Sequence, residues 1–291
     1  MPSLKELRAR IQGVKSQRKI TSAMKMVAAS KLRRFQLRAE ASRPYADAMR
    51  RMLSELAAAT RHESELPLLM QGGPGRTHLL VMLTSDLGLA GGFNANLARA
   101  MRGIVERLEG EGETVRILTV GRKGGDAMTR AYPDQVTMRQ PGTAGREVEF
   151  ARALELGKQI EEMLVSGEID RVTVVYNRFI NAMTQTPTTL PLVPLPVPEN
   201  DNRDDMAAQY EFEPNEEEIL AHILPRNLQV QIYAALLESA AGEQGARMTA
   251  MDNATRNAGS AIDSLTQRYN RSRQANITTE LIEIISGAEA V

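Results

Sequence analysis

The chain has 291 residues, 25% of them charged, with 36 Lys or Arg balanced by 36 Asp or Glu. That length permits one or two domains and a sizeable core, while a formal net charge of zero argues against a general nucleic-acid binder, which would be strongly basic. Cysteine is absent, which excludes disulfides and thiolate chemistry and fits a reducing compartment. No apolar run reaches the ~20 residues needed to cross a bilayer. The average conceals an asymmetry: residues 1–53 carry fourteen Lys or Arg against three acids, and residues 199–218 carry nine acids against Arg203 alone.

Along the chain, Leu4, Leu7, Ile11 and Val14 fall on one helical stripe that slips in phase around Gln17–Thr21 before reaching Met24, Val27, Ala28, Leu32 and Phe35. Ser3 and Glu6 have the spacing of a capping box. The pattern predicts a first helix from Leu4 to about Ala59, interrupted or bent at Pro44. The Arg-rich start imitates a transit peptide, but the helical pattern continues far beyond one and reads as mature protein. Gly-Gly-Pro-Gly at 72–75 marks a boundary. His78–Thr84, Val115–Val120 and Arg171–Tyr176 are apolar runs of strand length, separated by helical patterns after Asn96, after Gly121 and over Glu147–Val165. This rhythm predicts a small sheet carrying helices. Thr186–Pro198, rich in Thr and Pro, suits an edge strand leading into an extended connection.

Asn215 is placed to cap a final helix opened by Glu216, Glu217 and Glu218. Pro225 predicts a kink or a break and restart. Beyond it, Thr255, Ala258, Ile262, Leu265, Tyr269, Ser272, Asn276 and Thr279 recur by threes and fours as a coiled-coil seam. The small residues Ser239–Gly242, Gly245 and Ala246 would let two backbones approach closely. At ~1.5 Å per residue, the helix after Pro225 reaches roughly 90 Å, against a radius of gyration of about 19 Å for a compact chain of this length. A projecting helix paired antiparallel with the first is therefore expected. The predicted fold class is α+β or α/β: a long antiparallel coiled coil of the terminal helices plus a small central Rossmann-like domain. The expected divisions are 1–60, 76–198, an acidic connection and foot at 199–214, and 215–291.

Ser85–Asn96 and Gly121–Gly125 have the context of phosphate-binding loops, but neither has the Walker or the full dinucleotide pattern, and both read as tight strand-to-helix turns. His62, His78 and His222 have no metal-ligand spacing. Met24, Met26, Met248 and Met251 read as packing residues. No residue pattern marks a catalytic site, a cofactor site or a metal site.

Four blocks carry a resemblance: ITSAMKMVAASKLRR (Ile20–Arg34), SDLGLAGGFN (Ser85–Asn94), ARMTAMDNAT (Ala246–Thr255) and YNRSRQANITTELIEIISGAEAV (Tyr269–Val291). In order and spacing the sequence resembles the gamma subunit of F-type ATP synthase. It departs from the family at Leu87 and Ala90, where a basic residue and a Cys are common, at the extra Gly242, and in lacking the chloroplast cysteine insertion. The resemblance implies a central rotor shaft of a proton-translocating enzyme, peripheral on the cytoplasmic face of an energy-transducing bacterial membrane and touching the membrane only through Fo. It implies one copy per hexamer of alpha and beta subunits, with an epsilon subunit and a ring of c subunits at the base. ATP, ADP and Mg would belong to the alpha and beta subunits, leaving this chain without catalytic residues or cofactor. Met24, Lys25, Arg273, Gln274, Thr278 and Glu280 would meet the hexamer, Ile284, Ile285, Ala288 and Val291 would form an apolar bearing, and Tyr210 and Glu213 would stand on the c ring. The rival reading is a stand-alone nucleotide-binding α/β protein with a helical oligomerisation arm.

Overall fold

A computed structural model describes residues 3–59, 67–142, 147–195 and 216–289. Two helices dominate it: α1, Leu4–Ala59, and α6, Glu216–Glu289. Ser3 Oγ accepts the Glu6 amide at 3.2 Å and the Glu6 carboxylate accepts the Ser3 amide at 3.1 Å, so the expected capping box opens α1. Neither proline ends its helix: α1 runs through Pro44 and α6 through Pro225. A proline removes one ladder bond and crowds the preceding turn, and here packing outweighs that local cost. Near Pro225, Leu220, Leu224 and Leu228 are buried, and beside Pro44, Ala39 and Ala46 are buried.

The chain divides into two compact units, one formed by residues 1–28 with 247–291 and the other by residues 29–246. The second contains the short helix α2 (Leu68–Gln71), then β1 (Thr77–Leu83), α3 (Phe93–Gly110), β2 (Thr114–Val120), α4 (Arg122–Ala131), β3 (Val136–Gln140), α5 (Phe150–Val165), β4 (Arg171–Phe179) and β5 (Gln185–Val193). The five strands lie in the order β3-β2-β1-β4-β5. The first four are mutually parallel, and β5 runs antiparallel to β4. Continuous apolar sequence produced the central strands, because a strand covered on both faces has no reason to alternate: Leu79–Leu83 is buried throughout. On one face Leu80 and Met82 pack with Leu97, Met101 and Val105 of α3 and Met128 of α4. A separate cluster joins Leu53 and Leu56 of α1, Met70 of α2, Leu195, and Leu220 and Leu224 of α6.

Sequence reading missed α2 and β3. Helix α2 has only four residues, too few for a periodicity to show. The edge strand β3 (VTMRQ) has a half-exposed alternating pattern with two apolar residues, too little to register as a strand. Strand β5 keeps Pro187 and Pro191 because it lies at the opposite edge, where a missing donor costs little. Helix α3 begins at Phe93 rather than after Asn96.

The Gly-Gly-Pro-Gly boundary has a specific task. The Asp170 carboxylate accepts the amides of Gly75 and Thr77, each at 2.8 Å, and the Gly73 amide donates to the Asp170 carbonyl at 3.0 Å. A Cβ on Gly73 would overlap the Asp170 carboxylate. The segment leading into β1 is thus fastened to the start of β4.

Candidate functional surfaces on the terminal helices

Within the first unit the two helices pair antiparallel. The contacts run from Lys25 with Asp252 (2.6 Å) through the Thr21 and Thr255 hydroxyls (2.8 Å) to Arg8 with Tyr269 (2.7 Å), residue numbers falling on α1 as they rise on α6. The Arg8 guanidinium also lies 5.6 Å from the Tyr269 ring centre, within cation–π range. Leu7, Ala28, Met251, Ala258 and Ile262 are buried along this seam. The hydrogen bond from Lys25, with the charges of Lys25 and Arg256, outweighs partial desolvation and holds the Asp252 carboxyl below its ordinary range. Lys25 therefore has an intrachain partner, a feature no sequence spacing announced. Lys15, Arg18, Lys19, Met26, Thr255 and Ile262 are among the residues lining an open groove of about 550 Å³ that has no carboxylate in its wall.

The expected seam is covered only as far as Ser272; Asn276 and Thr279, assigned to it by periodicity, are exposed. From Arg273 to Ile285 every residue is exposed, including Arg273, Gln274, Thr278 and Glu280. The two threonine hydroxyls there are satisfied locally, with Thr278 Oγ1 donating to the Gln274 carbonyl at 2.9 Å and Thr279 Oγ1 to the Ala275 carbonyl at 3.0 Å. Ile277, Leu281, Ile282, Ile284 and Ile285 stand open on the same stretch, Ile284 to 68%. A run of exposed isoleucine and leucine on one helix calls for a partner surface. Met24 is half-buried. Ala288 falls within α6, while Tyr210, Glu213, Val291 and the expected cap Asn215 lie outside the described residues.

In the second unit the Ser85–Asn96 loop is closed by its own groups. Asn94 Oδ1 accepts the Ser85 amide at 3.1 Å, Asn94 Nδ2 donates to Ser85 Oγ at 2.7 Å, and Ser85 Oγ donates to the Leu87 carbonyl at 2.7 Å. Asp86 accepts the amides of Arg122 and Gly142 at 3.0 and 2.8 Å. Gly121, at φ 107°, sits so near the Thr84 carbonyl that a Cβ would collide with it. Both glycine-containing segments are tight turns holding strand ends to helix starts, as the sequence led us to expect. At position 87 the leucine is exposed, and at 90 the alanine is buried.

The structure names the backbone that the small residues of α6 approach. A Cβ on Gly245 would stand 3.2 Å from Cα and the carbonyl oxygen of Ala182, in the β4–β5 turn, and one on Gly242 would stand 3.2 Å from the Phe93 ring. The close approach is therefore of helix to hairpin rather than helix to helix. Sequence reading also missed Glu238, buried to 7% exposure, whose carboxylate takes Arg43 Nε at 2.8 Å and the Phe179 amide at 3.2 Å. Burial, and then the Glu238 charge, push the Tyr176 hydroxyl up. An apolar helix interrupted by acids at 238 and 243 was the available signal, since a buried acid needs a partner. No group of three or more His, Asp or Glu among the described residues could hold a metal, and no described helix is long and apolar enough to cross a membrane.

Fold and surfaces define an α/β protein with a small mixed sheet and long terminal helices that carry open apolar and cationic surfaces. A family model described as ATP synthase matches residues 3–291. The chain is 67% identical to the ATP synthase gamma chain of Gluconobacter oxydans and 62% identical to that of Gluconacetobacter diazotrophicus, in each pair over the full length of both chains. It is similar to a chain in the central stalk and c-ring structure of Tetrahymena thermophila mitochondrial ATP synthase, at 29% identity and a TM-score of 0.60, covering 81% of this chain and 99% of that one. It shares its fold with a chain in the rotor of Euglena gracilis mitochondrial ATP synthase, at 19% identity and a TM-score of 0.67, covering 94% of this chain and 98% of that one. The chain belongs to the ATP synthase gamma-chain family. That membership does not favour the rival reading of a free-standing nucleotide-binding protein.

Proposed function

We propose that this chain is the central rotor shaft of a proton-translocating F-type ATP synthase, transmitting rotation of a c ring to the catalytic sites of beta subunits. The observation that carries the reading is the exposed stretch Arg273–Ile285, an uncovered helix end with polar residues first and isoleucines after them. Arg273, Gln274, Thr278 and Glu280 would make the breakable polar contacts with the hexamer, each worth about 0–1 kcal/mol when exposed. Ile284 and Ile285, with Ala288 and Val291, would turn in an apolar collar, where the absence of directional bonds leaves no deep rotational trap. Met24 and Lys25 would face the hexamer from α1, and Lys25 would do so while paired with Asp252.

The excess of eleven positive charges in residues 1–53 supports steering toward an acidic partner surface. Tyr210 and Glu213 would stand on the c ring, beside an epsilon subunit, and the chain would be peripheral on the cytoplasmic face of the membrane. Catalysis and nucleotide would belong to the alpha and beta subunits, so the shaft acts by contacting their conformations unequally. Reconstitution with alpha and beta subunits tests the reading. One copy of this chain per hexamer is expected, and recovery of a stable complex with three copies would sink it.

A further inference from the structure

In an open α/β sheet the usual ligand crevice lies outside the carboxyl ends of the strands, where the strand order reverses. Here the reversal falls between β1 and β4, since β2 and β3 step outward on one side of β1 and β4 returns on the other. The crevice is filled by α6. Ser239 Oγ lies 3.4 Å from the Leu83 carbonyl at the end of β1, and Gly242 packs against the Asn177 carbonyl and Phe93. Beside the crevice, at the carboxyl end of β4, α6 presents Glu238.

The contacts of Glu238 form a closed ring. One carboxylate oxygen accepts Arg43 Nε of α1 at 2.8 Å, the other accepts the Phe179 amide at the end of β4 at 3.2 Å, and Arg43 Nη2 donates to the Phe179 carbonyl at 3.3 Å. The acid is desolvated and the arginine opens to solvent, with side-chain exposures of 9% and 38%. Around this ring α6 carries Ser239, Ala240, Ala241, Gly242 and Gly245, side chains too short to interdigitate as knobs. Apolar contact is non-directional and resists turning of a helix about its axis poorly, whereas hydrogen bonds fix direction and charge-assisted ones are the stronger kind. The nearby Arg50–Gln231–Ala46 contacts join α1 to α6 without reaching the sheet.

We infer that the Glu238–Arg43–Phe179 ring is a torque key, seated beside the sheet's own ligand crevice, that makes the α1 and α6 segments of the second unit and the sheet turn as one body. Glu238 and Arg43 are then positioning residues for rotary coupling, an inference that rests on the rotor reading above. Breaking the ring lets α6 yield against the sheet under load, so ATP is hydrolysed with fewer protons moved.

The test uses the whole ATP synthase in membrane vesicles, reading protons pumped per ATP hydrolysed and the amount of this chain per complex. Glu238→Ala and Arg43→Ala are expected to lower the pumping ratio roughly threefold, the scale on which single residues modulate coupling between sites. Glu238→Gln recovers part of it, because an amide oxygen still accepts the Phe179 amide. Met101→Ala, in the α3 core away from the ring, reduces the assembled complex but leaves the ratio per complex unchanged. If Glu238→Ala does not assemble, Glu238→Gln and Arg43→Lys carry the same readings at smaller size. Unchanged ratios in the assembled ring variants, or an equal loss in Met101→Ala, overturn the key. Coupled pumping by wild-type complexes lacking this chain would instead overturn the rotor reading.

Discussion

Replacing Asp170 by alanine removes the fastening between the segment entering β1 and the start of β4. The carboxylate is 6% exposed and accepts two amides at 2.8 Å, from Gly75 and Thr77. A buried donor left without an acceptor costs about 1–3 kcal/mol. Gly75 is exposed and water can replace part of its bond, so the two losses together come to about 2–4 kcal/mol. For a unit of this size that lowers Tm by roughly 4–16 °C. Gly73→Ala attacks the same fastening from the other side, since its methyl would overlap the Asp170 carboxylate. Because the two changes act on one contact, the double variant loses less than the two single losses together. Thermal unfolding of the four proteins followed by circular dichroism measures the cycle. An Asp170→Ala shift below about 1 °C, or full additivity in the double variant, refutes the reasoning.

Ser3→Ala removes the acceptor that holds the Glu6 amide and costs about 1 kcal/mol at the start of α1, seen as faster hydrogen exchange at that amide with slow exchange retained deeper in the helix. The Lys25–Asp252 pair makes the first unit acid-sensitive. Because the folded Asp252 carboxyl is held below its ordinary value, its contribution is complete above the unfolded aspartate range, near about 4, and is lost as pH falls through the lowered folded value. Unfolding midpoints measured from neutral to acid pH should fall less steeply in Asp252→Asn than in wild type, and parallel slopes would remove the pair from the account.

Much of this architecture was written locally. The capping box at Ser3 and Glu6 needs only neighbours three residues apart. The central strands of the sheet are continuous apolar runs that can settle nowhere but between two layers. The strand-to-helix turns at Ser85–Asn96 and Gly121–Gly125 also followed from local pattern, since glycines stand there between an apolar strand run and a helical one. The family resemblance lay in four short blocks, and it carried the functional expectations that composition alone did not reach.

Where prediction failed, the deciding atoms were far apart in sequence. At Pro44 and Pro225 the sequence left a break and a bend both open because a proline's cost is local, whereas the burial that keeps both helices continuous comes from residues such as Leu53, Leu195 and Leu224 assembled from three segments. The small residues of α6 promised a close approach without naming the backbone, and only the fold put the β4–β5 turn there. Glu238 finds Arg43 across 195 positions and Phe179 across 59. By itself the sequence determined the two long helices, the central strands and the apolar character of the helix end, because those properties follow from periodicity and composition. Only tertiary structure decided that α6 occupies the sheet's ligand crevice, because that depends on strand order, which brings together chain ends that no local spacing relates.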